Sequence, residues 1–493
     1  MRFPKTANFS GFFAPSGVEA EVHHIPVIDG EVPAELDGAF YRVAPDPQFG
    51  PLAGDDIWFN GDGMITMFRF KDGEVSLKQK WARTEKFLLE QEAGKPLFGA
   101  YRNPLTDDES VKGKVRGTAN TNVMVHGGKL LALKEDSPPV WMDPETLETI
   151  APVYDFGGRL TSETFTAHPK IDPDTGEMLA FGYAAKGLLT RDMVFYVISP
   201  EGEITKEVWF EIPYYCMMHD YGITKDYVVF HVVPITSNWE RLENRLPHFG
   251  FDRNKPIHLG VLPRNGTAED IRWFSAPNCF ASHVMNAFNE GTKVHFDTPM
   301  AAGNMFPFFP DIEGAAFDAK AAASRVTRWT VDMLGNSDDI EMHRLTELVG
   351  EFPRIDDRFA GKKYRHGFLL VQDMDKPVDL PGGRSGSGMM MNTLAHIDHE
   401  TGENDTYWVG STSSLQEPAF IPRPGSTEEG DGYIVVIENR LAENGSRLLL
   451  FDALKVAAGP IATLAIPFRI RPGLHGNWAP AETIAAAKQL EAA

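Results

Sequence analysis

Cysteine is nearly absent from this sequence, with only Cys216 and Cys279 among 493 residues. Two thiols are too few for a disulfide framework, so the fold depends on burial of apolar side chains. Each thiol lies three or four residues before a histidine. This leaves a mixed cysteine–histidine metal site open, although small thiols packed behind a site are the more ordinary interpretation.

Long apolar runs and leader-like segments are also missing. No stretch of about 18 apolar residues occurs, so we expect no membrane-spanning helix. Residues 1–13 lack a charged start followed by an apolar run, so no secretory signal is predicted. We therefore expect a cytoplasmic protein.

Basic residues are outnumbered, since 47 Lys and Arg stand against 69 Asp and Glu and give a net charge of −22. A surface of this charge repels nucleic acid and anionic lipid and favours solubility. Hydrophobic residues make up 42% of the chain, which is enough for a large buried core. The composition indicates a compact globular protein without a nucleic-acid partner.

Short apolar runs bounded by turn residues recur from end to end. They are rich in Val, Ile, Phe and Tyr and too short for typical helices, so they predict strands. Examples are residues 64–70, 130–134, 227–233, 325–333, 367–374, 433–438 and 447–451. Three turn segments, starting at Met142, Ile171 and Ile397, share the order apolar, Asp, any, acidic, Thr, any, Glu. They predict similar connections between consecutive antiparallel strands.

Hairpins throughout, 45 glycines and 35 prolines predict one all-β domain over residues 1–493. A β-propeller fits best, because its radial blades leave a central axis that residues from distant blades can reach. We expect loops and short helices to cap one face, with residues 240–263 and 304–323 as candidate cap segments. Residues 482–493 predict a short helix.

Four histidines, His168, His219, His283 and His475, stand 51, 64 and 192 residues apart. No single helix or hairpin can gather them, but a closed fold could. Imidazole suits Zn, Cu, Fe and Ni, whereas an all-histidine set suits Ca²⁺ or Mg²⁺ poorly. Four ligands around an octahedral ion leave two positions open for reactants. Any one of the 15 histidines alone is more often a surface or core residue, so spacing alone leaves the site open.

Three glutamates are placed to support such a site. A ligating imidazole usually donates its other N–H to a carboxylate or a carbonyl. Glu135, Glu351 and Glu417 follow or end predicted strands and could accept these N–H groups.

Several motifs, taken together, identify a family resemblance that runs nearly end to end. They are Gly38-Ala-Phe-Tyr-Arg-Val43, Phe59-Asn-Gly-Asp-Gly-Met64, Phe165-Thr-Ala-His-Pro-Lys170, Met218-His-Asp-Tyr-Gly222, Ser282-His-Val-Met-Asn-Ala-Phe288, Glu417-Pro-Ala-Phe-Ile-Pro-Arg423 and Leu474-His-Gly-Asn-Trp478. The chain resembles the carotenoid cleavage oxygenases. The resemblance implies a seven-bladed β-propeller with one non-haem Fe²⁺ on its axis. It also implies that the four histidines are the iron ligands and that the three glutamates orient three of the imidazoles.

Within that family the chain most resembles the bacterial lignostilbene dioxygenases, which cleave the central double bond of hydroxystilbenes with O₂ to give two aromatic aldehydes. Phe59, Tyr101 and Lys134 carry this finer resemblance. It implies that Tyr101 and Lys134 hold the substrate's 4-hydroxyl group and act in catalysis, that Phe59 stacks on a ring, and that the protein forms a homodimer. Phe306, with Phe308 and Phe309, and Leu474 are expected to line the substrate cleft.

The chemistry of the phenol is consistent with these residues. A phenolate para to an alkene pushes electron density onto the double bond and prepares it for oxygenation. An ammonium lowers the phenol pKa, and a tyrosine hydroxyl can donate a hydrogen bond to the phenolate. The residues alone also permit a solvated surface lysine and a structural tyrosine.

Three alternatives stay open. The first, inside the family, is cleavage of an apocarotenoid or carotenoid, although such enzymes usually present an apolar surface patch that is not evident here. The second is a β-propeller binding module with a structural metal or none. The third is a propeller hydrolase such as a lactonase, whose Ca²⁺ would need carboxylate ligands that the all-histidine set does not offer.

Overall fold

The computed structural model describes residues 2–373, 375–379 and 391–485. Within them antiparallel strands dominate. In chain order the strands are β1 Ala20–Val22, β2 Val27–Gly30, β3 Gly38–Pro45, β4 Gly63–Lys71, β5 Glu74–Trp81, β6 Asn122–His126, β7 Lys129–Leu133, β8 Val140–Met142, β9 Thr149–Ala151, β10 Lys170–Ile171, β11 Met178–Tyr183, β12 Asp192–Ile198, β13 Ile204–Glu211, β14 Gly222–Ile223, β15 Tyr227–Val232, β16 Ile235–Thr236, β17 Gly250–Phe251, β18 Ile257–Pro263, β19 Arg272–Ala276, β20 Phe280–Ala281, β21 Asn286–Glu290, β22 Lys293–Ala301, β23 Arg325–Asp332, β24 Glu341–Arg344, β25 Gly350–Ile355, β26 His366–Val371, β27 Thr393–Asp398, β28 Asn404–Trp408, β29 Ser413–Leu415, β30 Ala419–Pro422, β31 Gly432–Arg440, β32 Gly445–Asp452, β33 Ala462–Ile466 and β34 Gly476–Pro480.

Helices are few and short among the described residues. Two α-helices begin and end within the described residues, α1 Glu85–Ala93 and α2 Trp239–Glu243. Single 3₁₀ turns are Ala7–Phe9, Gly11–Phe13, Trp58–Asn60, Pro104–Thr106, Glu109–Val111, Ala268–Asp270, Asp357–Phe359 and Val456–Ala458. Residues 481–485 are helical, as the expected C-terminal helix requires at its start. Residues 486–493 of the predicted helix lie outside the described residues. So does residue 374, the last residue of the strand predicted over residues 367–374.

Seven sheets of four to six strands form the blades of a seven-bladed β-propeller. Blade 1 is β6–β9, blade 2 β10–β13, blade 3 β14, β15, β18 and β19, blade 4 β20–β24, blade 5 β25–β28, blade 6 β29–β33 with β2, and blade 7 β1, β3, β4, β5 and β34. The predicted all-β propeller is therefore confirmed.

Seven hydrophobic clusters lie one between each pair of neighbouring blades. They follow from the two-residue period of a strand, which sends alternate side chains to opposite faces. In β15, Val228 and Phe230 pack toward blade 2, while Val229 packs toward blade 4. Burial on both faces explains why these strands are continuous apolar runs in the sequence.

The first and last parts of the chain close the ring together. β3 pairs antiparallel with β34, with Tyr41 opposite Asn477 and Arg42 opposite Gly476. β2 pairs with β33 in blade 6. The blade that carries His475 therefore forms only when the two ends of the chain meet.

The three similar turn segments adopt one conformation. In each, the Asp side chain accepts hydrogen bonds from the backbone N–H groups two and three residues later: these acceptors are Asp143, Asp172 and Asp398. The fifth residue after the apolar start has a positive φ, and is Leu147, Gly176 or Gly402. The three segments therefore form the similar turns that the sequence predicts.

Insertions within blades 3 and 4, together with the segment between blades 7 and 1, form the cap. The hairpin β16–β17 with α2 contacts the segments around residues 101–103 and 306–311, as shown by the Asn103 side chain donating to the Leu242 carbonyl and by the packed rings of Phe249 and Phe309. The predicted cap segment 240–263 is partly wrong, because β18, at its end, is a blade strand paired with both β15 and β19. Among the described residues, no helix has the length and apolar character needed to cross a membrane.

Candidate metal centre and substrate cleft

The four histidines that the family resemblance implied as ligands come together on the propeller axis. Each lies within three residues of a strand at the edge of a blade: His168 before β10, His219 before β14, His283 after β20 and His475 before β34. The Nε2 atoms are 3.1 Å apart for His168 and His219, 3.0 Å for His219 and His283, and 3.3 Å for His283 and His475. All four candidate ligand atoms lie within 4.8 Å of one another.

Three of the imidazoles are oriented by the glutamates identified in the sequence. His219 Nδ1 is 2.9 Å from Glu135 Oε1, His283 Nδ1 is 2.5 Å from Glu351 Oε2, and His475 Nδ1 is 2.9 Å from Glu417 Oε1. A proton on each Nδ1, donated to the carboxylate, leaves the Nε2 lone pair pointing to the centre. The carboxylates thus select the tautomer that a metal ligand needs.

The electrostatics of the cluster keep it ready for a cation. Burial and the neighbouring imidazoles hold the pKa of His168 well below its usual range. Burial also lowers the pKa of His475 to about 4, against the pull of Glu417. Burial opposes ionisation of Glu417, but His475 and Arg354 outweigh it and bring its pKa to about 2. Burial acts the same way on His283, but there the Glu351 carboxylate outweighs it and raises the pKa. Four converging imidazole nitrogens make a donor set for a divalent transition metal.

The predicted phenol-binding residues are also brought together. Lys134 is only 4% exposed, and its ammonium donates to the Phe59 carbonyl at 3.2 Å and to Asn120 Oδ1 at 3.1 Å. It also lies 5.2 Å from the centre of the Tyr101 ring. Burial lowers the pKa of Lys134 and raises the pKa of Tyr101 well above its ordinary value. The alternative of a solvated surface lysine is therefore excluded, since Lys134 is buried.

An aromatic wall stands beside this polar end. The Tyr101 ring stacks on Phe309 at 6.2 Å, and Phe59 meets Phe308 edge-on at 5.1 Å. Phe306 stacks on Phe308 at 5.0 Å, so these rings form one cluster. Leu474 lies outside that cluster as the structure describes it; it is buried and directly precedes His475.

Sequence reasoning missed two buried residues that contact backbone atoms of the site. The Asn120 side chain donates a hydrogen bond to the Phe59 carbonyl and accepts one from the Lys134 ammonium. Arg42, 2% exposed, donates to the carbonyls of Glu417 and Leu474. Arg42 stands inside the motif Gly38 to Val43, which was the available signal, whereas Asn120 belongs to a polar run with no recognisable pattern.

Comparisons with known proteins agree with this geometry. Residues 13–480 match the family model described as Retinal pigment epithelial membrane protein (RPE65). The chain is 53% identical to lignostilbene-alpha,beta-dioxygenase isozyme III of Sphingomonas paucimobilis, over 98% of this chain and 99% of that protein. It is 42% identical to isoeugenol monooxygenase of Pseudomonas nitroreducens, over 95% and 97%. The crystal structure of Pseudomonas brassicacearum lignostilbene dioxygenase superposes with a TM-score of 0.93 at 45% identity, over 97% and 100%.

Proposed function

This chain belongs to the Retinal pigment epithelial membrane protein family, which is the carotenoid cleavage oxygenase family that its motifs indicated, and we propose that it cleaves the central double bond of 4-hydroxystilbenes with O₂. The products are two aromatic aldehydes. Both oxygen atoms of O₂ enter the products and the C=C bond is replaced by two C=O bonds, so no external reductant is needed.

We propose Fe²⁺ as the resident metal, held by His168, His219, His283 and His475. The fit rests on the donor set, since imidazole nitrogens from two buried and two half-buried histidines converge, and the N–H groups of three of these rings are taken up by carboxylates. A donor set of this kind suits a first-row transition metal and not Ca²⁺ or Mg²⁺. Bound Fe²⁺ would supply the redox chemistry with O₂.

The buried ammonium of Lys134 is the observation that favours a phenolic substrate. A buried cation beside an aromatic cluster is costly unless an anionic or strongly polar partner shares the space. A substrate phenolate is such a partner, and its charge would be stabilised by the ammonium and by the Tyr101 hydroxyl. The raised pKa of Tyr101 keeps its hydroxyl protonated, so that it donates rather than competes as an anion.

The phenolate form then assists cleavage. Negative charge on the 4-oxygen is delocalised through the ring onto the alkene, which makes the double bond more reactive toward oxygenation. Lys134 and Tyr101 thus bind the substrate and hold the 4-oxygen in its reactive protonation state. Phe59 and Phe306 supply ring contacts that keep water from the bound alkene.

The aromatic wall favours a stilbene over the two alternatives that the family offers. A polyene has no acidic group that could pair with Lys134, so burial of the ammonium would cost stability without improving substrate binding. A phenylpropene, the substrate type named for the isoeugenol monooxygenase, would use the phenol end but leave the stacking surface of the wall without a second ring. We therefore rank 4-hydroxystilbenes first, 4-hydroxyphenylpropenes second and apocarotenoids last.

The test compares two substrates and two lysine variants. The wild-type protein loaded with Fe²⁺ should convert 4-hydroxystilbene to 4-hydroxybenzaldehyde and benzaldehyde, and turn over 4-methoxystilbene at least tenfold more slowly. Lys134→Met should lower kcat/KM for 4-hydroxystilbene by about 100-fold, roughly the worth of one charge-assisted hydrogen bond in a buried site. Lys129→Met is the control, because Lys129 begins strand β7, which Lys134 directly follows. Apocarotenoid cleavage in Lys134→Met, with no stilbene turnover by either protein, would overturn the proposal.

Three sequence predictions stay predictions. We propose that the whole chain acts as a single oxygenase domain, because β34 completes a blade begun by β3. The expected homodimer can be checked by light scattering of the purified protein. The expected cytoplasmic location can be checked by cell fractionation.

A further inference from the structure

Asn120 is completely buried at the phenol-binding end, and its side-chain hydrogen bonds in the described part of the chain go to residues other than the four histidines. It directly precedes Thr121 and the first strand of blade 1, and its exposed fraction is 0%. Its Nδ2 donates to the Phe59 carbonyl at 2.7 Å and to the Gly61 carbonyl at 2.6 Å. Its Oδ1 accepts from Lys134 Nζ and from Thr121 Oγ1, both at 3.1 Å.

These four bonds use the whole hydrogen-bonding capacity of the side chain. A primary amide has two N–H donors and an oxygen with two acceptor sites. The reversed orientation would set the amide nitrogen against the ammonium and the amide oxygen against two carbonyls, so the observed orientation is the only one that satisfies every partner. The amide is therefore a rigid connection between the loop carrying Phe59 and the side chain of Lys134.

The connection also sets the direction of the Lys134 ammonium. Two of its three N–H groups are directed at Phe59 O and Asn120 Oδ1. Because an ammonium rotates as a unit, fixing two N–H groups fixes the third. That third N–H is the one left for a ligand in front of the Tyr101 ring.

Carboxylates close by would otherwise compete for the ammonium. Asp136, Glu135 and Asp56 all act electrostatically on Lys134, as does the cation of Arg102. Asp136 Oδ1 and Glu135 Oε2 are buried and have no hydrogen-bond partner among the described residues. An ammonium released from Asn120 could turn to one of these oxygens, and its charge would then be neutralised by the protein instead of the substrate.

We propose that Asn120 is the positioning residue of the phenol site, which holds the Lys134 ammonium and the Phe59 backbone in one unit and keeps that ammonium available to the substrate oxygen. This assignment rests on the proposed function. Asn120 acts through Lys134 and Phe59 and does not itself contact the reacting atoms.

The experiment measures the ionisation of a bound phenol, which a merely structural role would leave unchanged. The Fe²⁺-loaded protein, kept free of O₂ so that no turnover occurs, is mixed with 4-hydroxy-4′-nitrostilbene, whose phenolate absorbs at longer wavelength than its phenol. Absorbance against pH gives the pKa of the bound probe. In the wild type this pKa should lie at least one unit below that of the free probe, as expected for a nearby ammonium.

Two substitutions should move this value in the same direction by different amounts. Asn120→Ala should raise the pKa of the bound probe by about one unit, a tenfold loss of preference for the phenolate. Asn120→Asp keeps the shape but adds a charge beside the ammonium, so the increase should be larger. KM for 4-hydroxystilbene should rise with each, while iron content stays that of the wild type.

Asn286→Ala is the matched control. Asn286 is also buried, at 6% exposed, and its amide likewise donates to two carbonyls, those of Phe359 and Lys362, on the other side of the ring. It should leave the pKa of the bound probe unchanged. An Asn120→Ala or Asn120→Asp protein with full iron content and the wild-type probe pKa would overturn the assignment. A wild-type protein that binds no probe, or leaves its pKa at the free value, would instead refute the proposed function and the assignment with it.

Discussion

At the scale of single residues, the metal centre is a set of paired side chains. Glu417 accepts from His475 Nδ1 and also from the Gly476 backbone N–H at 3.0 Å, so one carboxylate fixes both the ring and the chain beside it. Arg42 then anchors the carbonyl of Glu417 itself. The position of the imidazole nitrogen is therefore determined by contacts that extend well beyond the four histidines.

Glu417→Gln should weaken metal binding by about 10- to 100-fold, the usual effect of removing a partner that orients a ligating histidine. The amide keeps the shape but no longer offers a charged acceptor to His475 Nδ1. Retention of Fe²⁺ or Co²⁺ during titration with a competing chelator measures the change. Glu438→Gln is the control, because Glu438 is a buried carboxylate of the same blade that accepts from Ser413 Oγ. Equal metal loss in both variants would contradict this role for Glu417.

The sequence predicted those residues of the site that contact one another through their side chains. The histidines and glutamates are types with a known metal chemistry, and the family motifs located them. Asn120 and Arg42 were missed because their main partners are backbone carbonyls, which every residue possesses and which leave no pattern in a sequence. That Leu474 lines the substrate cleft stays a prediction.

At the scale of elements, the turns are the best predicted local structures. The Asp of each similar turn satisfies backbone N–H groups through its own side chain, and this chemistry is independent of the rest of the fold. Leu147 takes the left-handed position where the other two turns have glycine. Its side chain is buried in the cluster between blades 7 and 1, and this burial offsets a backbone cost of about 1–2 kcal/mol.

Asp398→Asn tests one of these turns through pH. Hydrogen bonds from Arg365 hold the pKa of Asp398 below its ordinary value. A lowered folded pKa means that the charge stabilises the protein above the unfolded pKa of about 4, and that this stability is lost as the pH falls through the folded pKa.

The substitution should therefore lower the free energy of unfolding by about 0.5–1 kcal/mol at pH 7, since the ion pair is partly exposed, and by less as the pH falls below about 4. Urea unfolding at pH 7, 5 and 3.5 measures it. Asp318→Asn is the control, because Asp318 accepts only backbone N–H groups in the described structure. A constant difference at all three pH values would show that charge is not the cause.

The boundaries of elements were harder to predict from the sequence where a blade strand adjoins an insertion. The apolar run of β18 was included in the predicted cap segment 240–263, although it is a blade strand. Its pairing with β15, nearly thirty residues earlier in the chain, is a non-local choice. Local pattern identifies a strand, but it does not say which sheet the strand joins.

At the scale of the whole molecule, the metal would connect blades 2, 3, 4 and 7. His475 belongs to the blade that closes the ring through β3 and β34, so the complete ligand set exists only in the closed fold. The closed architecture followed from hairpin density and from histidine spacing. The number of blades came from the family resemblance, because neither strand length nor turn type determines how many blades the propeller has.

Removal of the metal should consequently lower the thermal stability of the entire propeller. A ligand present at about 100 times its dissociation constant adds about 2.7 kcal/mol, which for a chain of 493 residues amounts to about 3 °C in Tm. Calorimetry of the Fe²⁺-loaded protein with and without chelator, free of O₂, measures the difference. His475→Ala should show no chelator effect. An unchanged wild-type Tm would argue against a metal that joins the four blades.

The central claim is that the four-histidine centre oxygenates a double bond whose phenol is held by Lys134 and Tyr101. Its most direct test is the reaction of the Fe²⁺-loaded protein with 4-hydroxystilbene under ¹⁸O₂, with immediate reduction of the aldehydes to alcohols so that the label does not exchange with water. One O₂ should be consumed per alkene, and ¹⁸O should appear in both alcohols. Absence of both products, or label in only one of them, would contradict the account.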